Sequence, residues 1–171
     1  MPIPDEVLLT QPWLSHILPF LYVGNHQAAL DFDLLRNRRI KRMITLMQTD
    51  DASIDAVCRQ LGISRKQFLI PDGWFEDREG IVCSLLHWIH EGRQAKEAVL
   101  VHCVASISRS PALILAYCVW SGMPIEEAMR LIGIHEPAAP VPRTLESFLK
   151  CIDCKLPPGY REWFHYRRFG Y

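Results

Sequence analysis

The sequence predicts an α/β domain with a central, mainly parallel sheet flanked by helices. Three observations carry that prediction. Short, continuously apolar runs at Met43–Met47, Phe68–Ile70 and Val99–Val101 read as buried strands. Segments with apolar residues at helical spacing alternate with them, as from Ile81 to Ile89 and from Ile125 to Ile132. Punctuating residues stand at the junctions: Gly62, then Pro71-Asp72-Gly73, then Gly122 and Pro124. At 171 residues the chain suits one domain that buries roughly 70% of its unfolded surface.

The elements follow in order. Ile17 to Val23 is the first apolar segment, broken by Pro19 and ended by Gly24 and Asn25. A short helix is expected over Ala28 to Leu35. The basic run Arg36, Arg38, Arg39, Lys41 and Arg42 is assigned to a solvated turn. Asp51 or Ser53 caps a helix running to about Leu61, which Gly62 stops. After the Pro-Asp-Gly turn comes the helix that begins near Ile81. Pro111 to Trp120 is apolar nearly all round, as a helix in the middle of a domain would be. Amphipathic helices over Ile125–Ile132 and Leu145–Ile152 complete the set.

Charge limits the function classes. Lys plus Arg is 19 and Asp plus Glu is 19, so the net charge is zero. A protein that coats nucleic acid or an anionic membrane carries a basic excess, so neither is expected as a partner. The first residues, MPIPDEVLLTQPW, hold two acids and no apolar run, unlike a secretory signal. The longest uncharged stretch, Ser110 to Ile125, falls short of the ~20 residues of a membrane span. A cytoplasmic placement is expected, with the six cysteines as thiols rather than a disulfide frame.

In parallel sheets ligands bind beyond the carboxyl ends of the strands. There the strand Val99–Val101 runs into His102-Cys103-Val104-Ala105-Ser106-Ile107-Ser108-Arg109-Ser110. A loop between a strand and a helix N-terminus turns backbone N–H groups inward, and the helix dipole adds positive potential. Val104, Ala105, Ser106, Ile107, Ser108 and Arg109 thus form a cradle for a phosphate-sized anion. Cys103 stands at its entry, where the same field favours thiolate over thiol. Arg109 lies six residues on, and its planar fork can hold two oxygens of one phosphate. A cysteine attacking phosphorus expels an alkoxide or phenoxide, which needs a general acid on a facing loop. Asp72, thirty-one residues before Cys103, is the first candidate, and Asp77 in the same acidic loop competes with it. Ser110 can donate a hydrogen bond to the sulfur and ease its departure. His102 is read as a supporting residue that orients the cysteine.

The stretch HCVASISRS resembles the Cys-x5-Arg signature loop of the protein tyrosine phosphatase superfamily. Its neutral Val104, Ala105 and Ile107, and the Arg-Ser-Pro that follows, are most similar to the small dual-specificity branch. Ile17 to Gly24 resembles that branch's opening strand with its LYxG ending, and the position of Asp72 suits its general acid. The resemblance spans roughly His16 to Ile152. It implies a metal-free, cofactor-free, two-step hydrolysis of phosphorylated proteins or peptides through a phosphocysteine. Two departures stand out. Ser106 occupies a position where the family normally has Gly; if φ is positive there, a side chain costs roughly 1–2 kcal/mol. The expectation is an intact fold with weakened catalysis. Pro140 to Thr144 stands where relatives carry a water-positioning residue, and no equivalent is evident.

Two other function classes stay open. One is a phosphopeptide-binding module that lost turnover through Ser106. The other is a rhodanese-type or arsenate-reductase-like cysteine enzyme, which has no need of Asp72. Cys151 and Cys154 read as two positions near a helix end, and His87 and His90 as surface or half-buried residues of one helix rather than ligands. Residues 1–159 are assigned to the catalytic domain. The tail, 160–171, mixes Tyr160, Trp163, Phe164 and Phe169 with Arg161, Arg167 and Arg168. It is expected to pack back on the domain, with contact to a partner or a dimer mate as the alternative.

Overall fold

The computed structural model describes residues 2–171. Among these, five strands form one sheet: Leu14–Leu18 (β1), Leu21–Gly24 (β2), Ile40–Met47 (β3), Ser64–Leu69 (β4) and Ala98–His102 (β5). Their spatial order is β1-β2-β5-β3-β4, with β1 antiparallel to β2 and the other neighbours parallel. The parallel strands alternate their side chains between two cores. Val23, Ile44, Leu46, Val99 and Val101 face one, while Tyr22, Met43, Met47 and Leu100 face the other. A sheet covered on both faces produces the continuous apolar runs.

The larger core is built by Ile81–Gln94 (α5), Arg109–Trp120 (α6), Ile125–Ile132 (α7) and Pro142–Lys150 (α8). Every residue of α6 from Ser110 to Cys118 is buried, as its all-round apolarity requires. The smaller core lies under His26–Leu30 (α2), Phe32–Asn37 (α3) and Ala52–Leu61 (α4). Asp51 caps α4 by accepting from Ser53 N at 2.8 Å, and Gly62 ends it at φ 66°. Asp5–Thr10 (α1) and Tyr160–Phe169 (α9) are helices that apolar spacing did not reveal.

Several boundaries differ from the sequence reading. Ile17 to Val23 is not one strand but the two arms of a hairpin turning at Pro19-Phe20. Ile17, Leu21 and Val23 all enter the same core, so apolarity continues across the turn. The helix expected over Ala28–Leu35 breaks at Asp31, whose side chain caps α3 by accepting from Leu34 N at 3.0 Å. The basic run is only partly a turn, because β3 starts at Ile40 and takes in Lys41 and Arg42. Arg42 packs over the Trp88 ring at 4.9 Å and donates to Glu97 at 2.8 Å. Strand β4 is longer and more polar than expected, which an edge strand permits. Helix α8 begins at Pro142 rather than Leu145, with proline in the first turn where its missing N–H costs nothing.

Candidate active site

Strand β5 ends at His102, and the loop to α6 begins with Cys103, which is 2% exposed. The Cys103 sulfur lies 3.2 Å from Ser110 Oγ in the first turn of α6. The loop is fastened from outside at three points. His26 N donates to Val104 O at 2.9 Å, Ala139 N to Ile107 O at 2.8 Å, and Val141 N to Ser108 Oγ at 2.9 Å. The N-terminus of α6, with N–H groups that lack intrahelical partners, closes the cradle.

Arg109 is the first residue of α6. Its Nη1 donates to Ile70 O at 3.2 Å, which ties it to the loop carrying Asp72. Its Nε is buried without a hydrogen-bond partner among the described residues. A buried donor left unpaired is costly, and a bound anion would satisfy it.

Because β3, β4 and β5 are parallel, the loops after β4 and β5 leave the sheet at one edge. Asp72 and Cys103 line the same cavity, of about 360 Å³. Helix α8 holds the Asp72 loop in place. Thr144 donates to Asp72 Oδ1 at 2.8 Å, Ser147 Oγ accepts from Phe75 N at 3.0 Å, and Phe148 meets the Phe75 ring edge-on. The segment that lacks a water-positioning residue thus holds the Asp72 carboxyl instead. Asp77 is placed otherwise. Its two carboxylate oxygens accept from Ile81 N and Val82 N at 2.8 and 2.7 Å, capping α5. It faces a different cavity from Cys103.

Behind the loop lie two buried histidines. His102 takes a hydrogen bond at Nε2 from Thr45 Oγ1 at 2.7 Å, the hydroxyl itself accepting from Arg65 Nε at 3.0 Å. That leaves Nδ1–H to donate to Cys103 O at 3.2 Å. Burial pushes the His102 pKa down to about 3, so the ring is neutral. Ser106 sits at φ 57°, the left-handed region the sequence reading made conditional. Its hydroxyl is completely buried and hydrogen-bonds His135 Nε2, while His135 Nδ1 meets Ser15 Oγ at 2.6 Å. Burial pushes His135 down to about 3 as well. Sequence reasoning missed Ser15, Thr45 and His135, which come from three distant segments and share no motif.

Of the other cysteines, Cys83, Cys151 and Cys154 are half-buried. Cys58 and Cys118 are buried, and burial raises both thiols, Cys118 to about 12. His90 Nδ1 meets the Tyr117 hydroxyl at 3.2 Å at the edge of the core.

The family model for the dual specificity phosphatase catalytic domain matches residues 21–150. Dual specificity protein phosphatase 22-B of Danio rerio is 27% identical over 154 residues, which cover 88% of this chain and 79% of that protein. Dual specificity protein phosphatase 22 of Mus musculus is 31% identical over 106 residues, covering 61% of this chain and about half, 53%, of that one. The crystal structure of human DUSP28 has the same fold, with a TM-score of 0.72 at 19% identity over 89% of this chain and 96% of that one. The family match opens at the first residue of β2 and closes at the last of α8, enclosing both site loops. The chain therefore belongs to the dual specificity phosphatases, the small branch of the protein tyrosine phosphatase superfamily, hydrolases that remove phosphate from proteins.

Proposed function

We propose that this phosphatase hydrolyses phosphotyrosine, and also phosphoserine and phosphothreonine, through a phosphocysteine at Cys103. One observation carries the reading: Cys103, Arg109 and Asp72 line a single cavity at the carboxyl edge of the sheet. In the first step the thiolate attacks phosphorus, the S–P bond forms and the P–O ester bond breaks. Asp72 gives its proton to the leaving oxygen. Arg109 and the N–H groups of residues 104–109 hold the transferring phosphoryl group, whose charge they stabilise. In the second step water attacks phosphorus, Asp72 takes a proton back, and sulfur departs with a hydrogen bond from Ser110. Asp72 in the cavity supports hydrolysis over sulfur transfer, which needs no acid there. The capping role of Asp77 supports Asp72 as the acid. Six free thiols fit the reducing, cytoplasmic compartment that we also assign. Among the described residues no helix is long and apolar enough to cross a membrane.

The test is leaving-group dependence. Asp72→Asn should lower kcat about 100-fold on phosphotyrosine, whose leaving oxygen needs the proton, and much less on an aryl phosphate with an acidic phenol. Asp77→Asn should lower thermal stability and keep the parent leaving-group dependence. The opposite pattern transfers the acid role to Asp77.

A further inference from the structure

Helix α9 reaches the catalytic cavity, and the two-step reaction makes no use of it. Phe164, Arg168 and Phe169 share that cavity with Cys103, Arg109 and Asp72. The helix is firmly fixed. Tyr160, 1% exposed, donates its hydroxyl to Pro140 O at 2.7 Å. Arg167 donates from Nε to Ala138 O at 3.1 Å, and from Nη2 to His135 O at 2.9 Å and Glu136 O at 3.1 Å. The segment held in this way, through Ala139 and Val141, is the one that fastens the phosphate loop. A short chain of backbone contacts thus sets the distance between α9 and the cradle.

Among the described residues Arg168 has a single partner. Its Nη2 meets the two carboxylate oxygens of Asp5 at 3.1 and 3.2 Å, with the Asp5 side chain 61% exposed and that of Arg168 28% exposed. Exposed pairs of this kind are weak and exchange partners readily. A guanidinium has five N–H donors in a planar fork, so engagement of one nitrogen leaves capacity for a second anion. The phosphate itself is already provided for by Arg109 and the loop. Phe164 and Phe169 add aromatic surface on which a substrate chain can lie.

We infer that Arg168, Phe164 and Phe169 form a second, anion-selecting subsite beside the phosphate loop, which takes an acidic group flanking the phosphorylated residue of a protein substrate. Asp5 pairs with Arg168 in the free protein and releases it when substrate enters. The inference rests on the phosphatase reading above and makes α9 part of the catalytic unit rather than an appended tail.

The experiment compares kcat/KM for three phosphotyrosine peptides whose flanking residues are Glu, Gln or phosphoserine. A simple aryl phosphate reports on the phosphate loop alone. The parent should prefer the Glu peptide over the Gln peptide about five-fold, a preference that shrinks at high salt. The Glu/Gln ratio should fall to near one in Arg168→Gln and rise in Asp5→Asn. Each ratio is taken within one variant, so a general loss of folded protein cancels. A preference confined to the phosphoserine peptide supports the subsite and assigns it to a second phosphate rather than a carboxylate. Equal rates on all three peptides in the parent, or a ratio unchanged by Arg168→Gln, overturn the subsite and leave the phosphatase reading intact. Faster turnover of a bisphosphorylated inositol lipid in vesicles than of any peptide overturns the choice of a protein substrate. Failure to hydrolyse even the aryl phosphate overturns the phosphatase reading, and the subsite with it.

Discussion

At Ser106 a side chain occupies a left-handed backbone position that suits glycine, at φ 57°. The conformation costs roughly 1–2 kcal/mol for a residue with a Cβ. The hydrogen bond to His135, itself held by Ser15, offsets part of that cost and keeps the loop closed. The two residues should therefore be coupled. Ser106→Gly should raise kcat/KM above the parent value. His135→Ala should lower it about ten-fold in the parent and little in the Ser106→Gly background, a coupling of about 1 kcal/mol. A double-mutant cycle on aryl phosphate hydrolysis measures this, and equal losses in both backgrounds would refute it. Thr144→Val removes the hydroxyl that donates to Asp72 Oδ1. It should lower kcat by about three- to ten-fold, with KM little changed, because one hydrogen bond contributes about 1 kcal/mol. Cys103, Arg109 and Ser110 were legible because they fall within eight residues of one loop. Asp72 was legible because its turn is local. Ser15 and His135 were not, since residues 120 positions apart leave no local pattern.

At the scale of elements, the supports of the site are helices α6, α8 and α5. Helix α8 presents Thr144, Ser147 and Phe148 to the loop carrying Asp72, so its seating and the position of Asp72, the proposed acid, are one problem. Helix α5 runs close to β5 at Gly92, where an added Cβ would come within 2.6 Å of Val99 Cγ2. Valine is stiff at χ1 and cannot swing aside easily. Gly92→Ala should cost about 1–3 kcal/mol of stability, read as a lower urea midpoint with an unchanged slope. No loss of stability would mean that α5 can shift away from the sheet. Buried helices and parallel strands were legible because burial on every side imposes continuous apolarity. The β1–β2 hairpin was obscured because both arms feed one core across Pro19. The break between α2 and α3 was obscured because Asp31 both ends one helix and caps the next. Helix α9 was unreadable as a helix because its aromatic residues point both to the core and to solvent.

For the whole molecule, the sheet separates two cores and carries the candidate site at one edge, with the buried histidines His102 and His135 against the loop of residues 103–108. His102 and His135 are held down to about 3, against 6.5 for a free histidine. Between those values the unfolded chain binds more protons than the folded one. Their contribution to stability is therefore complete above pH 6.5 and is lost as pH falls toward 3. Each histidine should remove about 1.4 kcal/mol per pH unit within that window. Urea midpoints should hold steady above about pH 7 and fall steeply by about pH 5, whereas a flat profile would mean that the rings protonate without unfolding. The proposed chemistry takes a thiolate and a protonated aspartic acid together, so kcat/KM should be bell-shaped in pH. The most direct measurement is hydrolysis of an aryl phosphate in the presence of EDTA by the parent and by Cys103→Ser. The account predicts turnover in the parent that disappears in the variant, while both remain folded. Turnover that survives in Cys103→Ser, or none in the parent, would contradict cysteine-dependent phosphate transfer at this site.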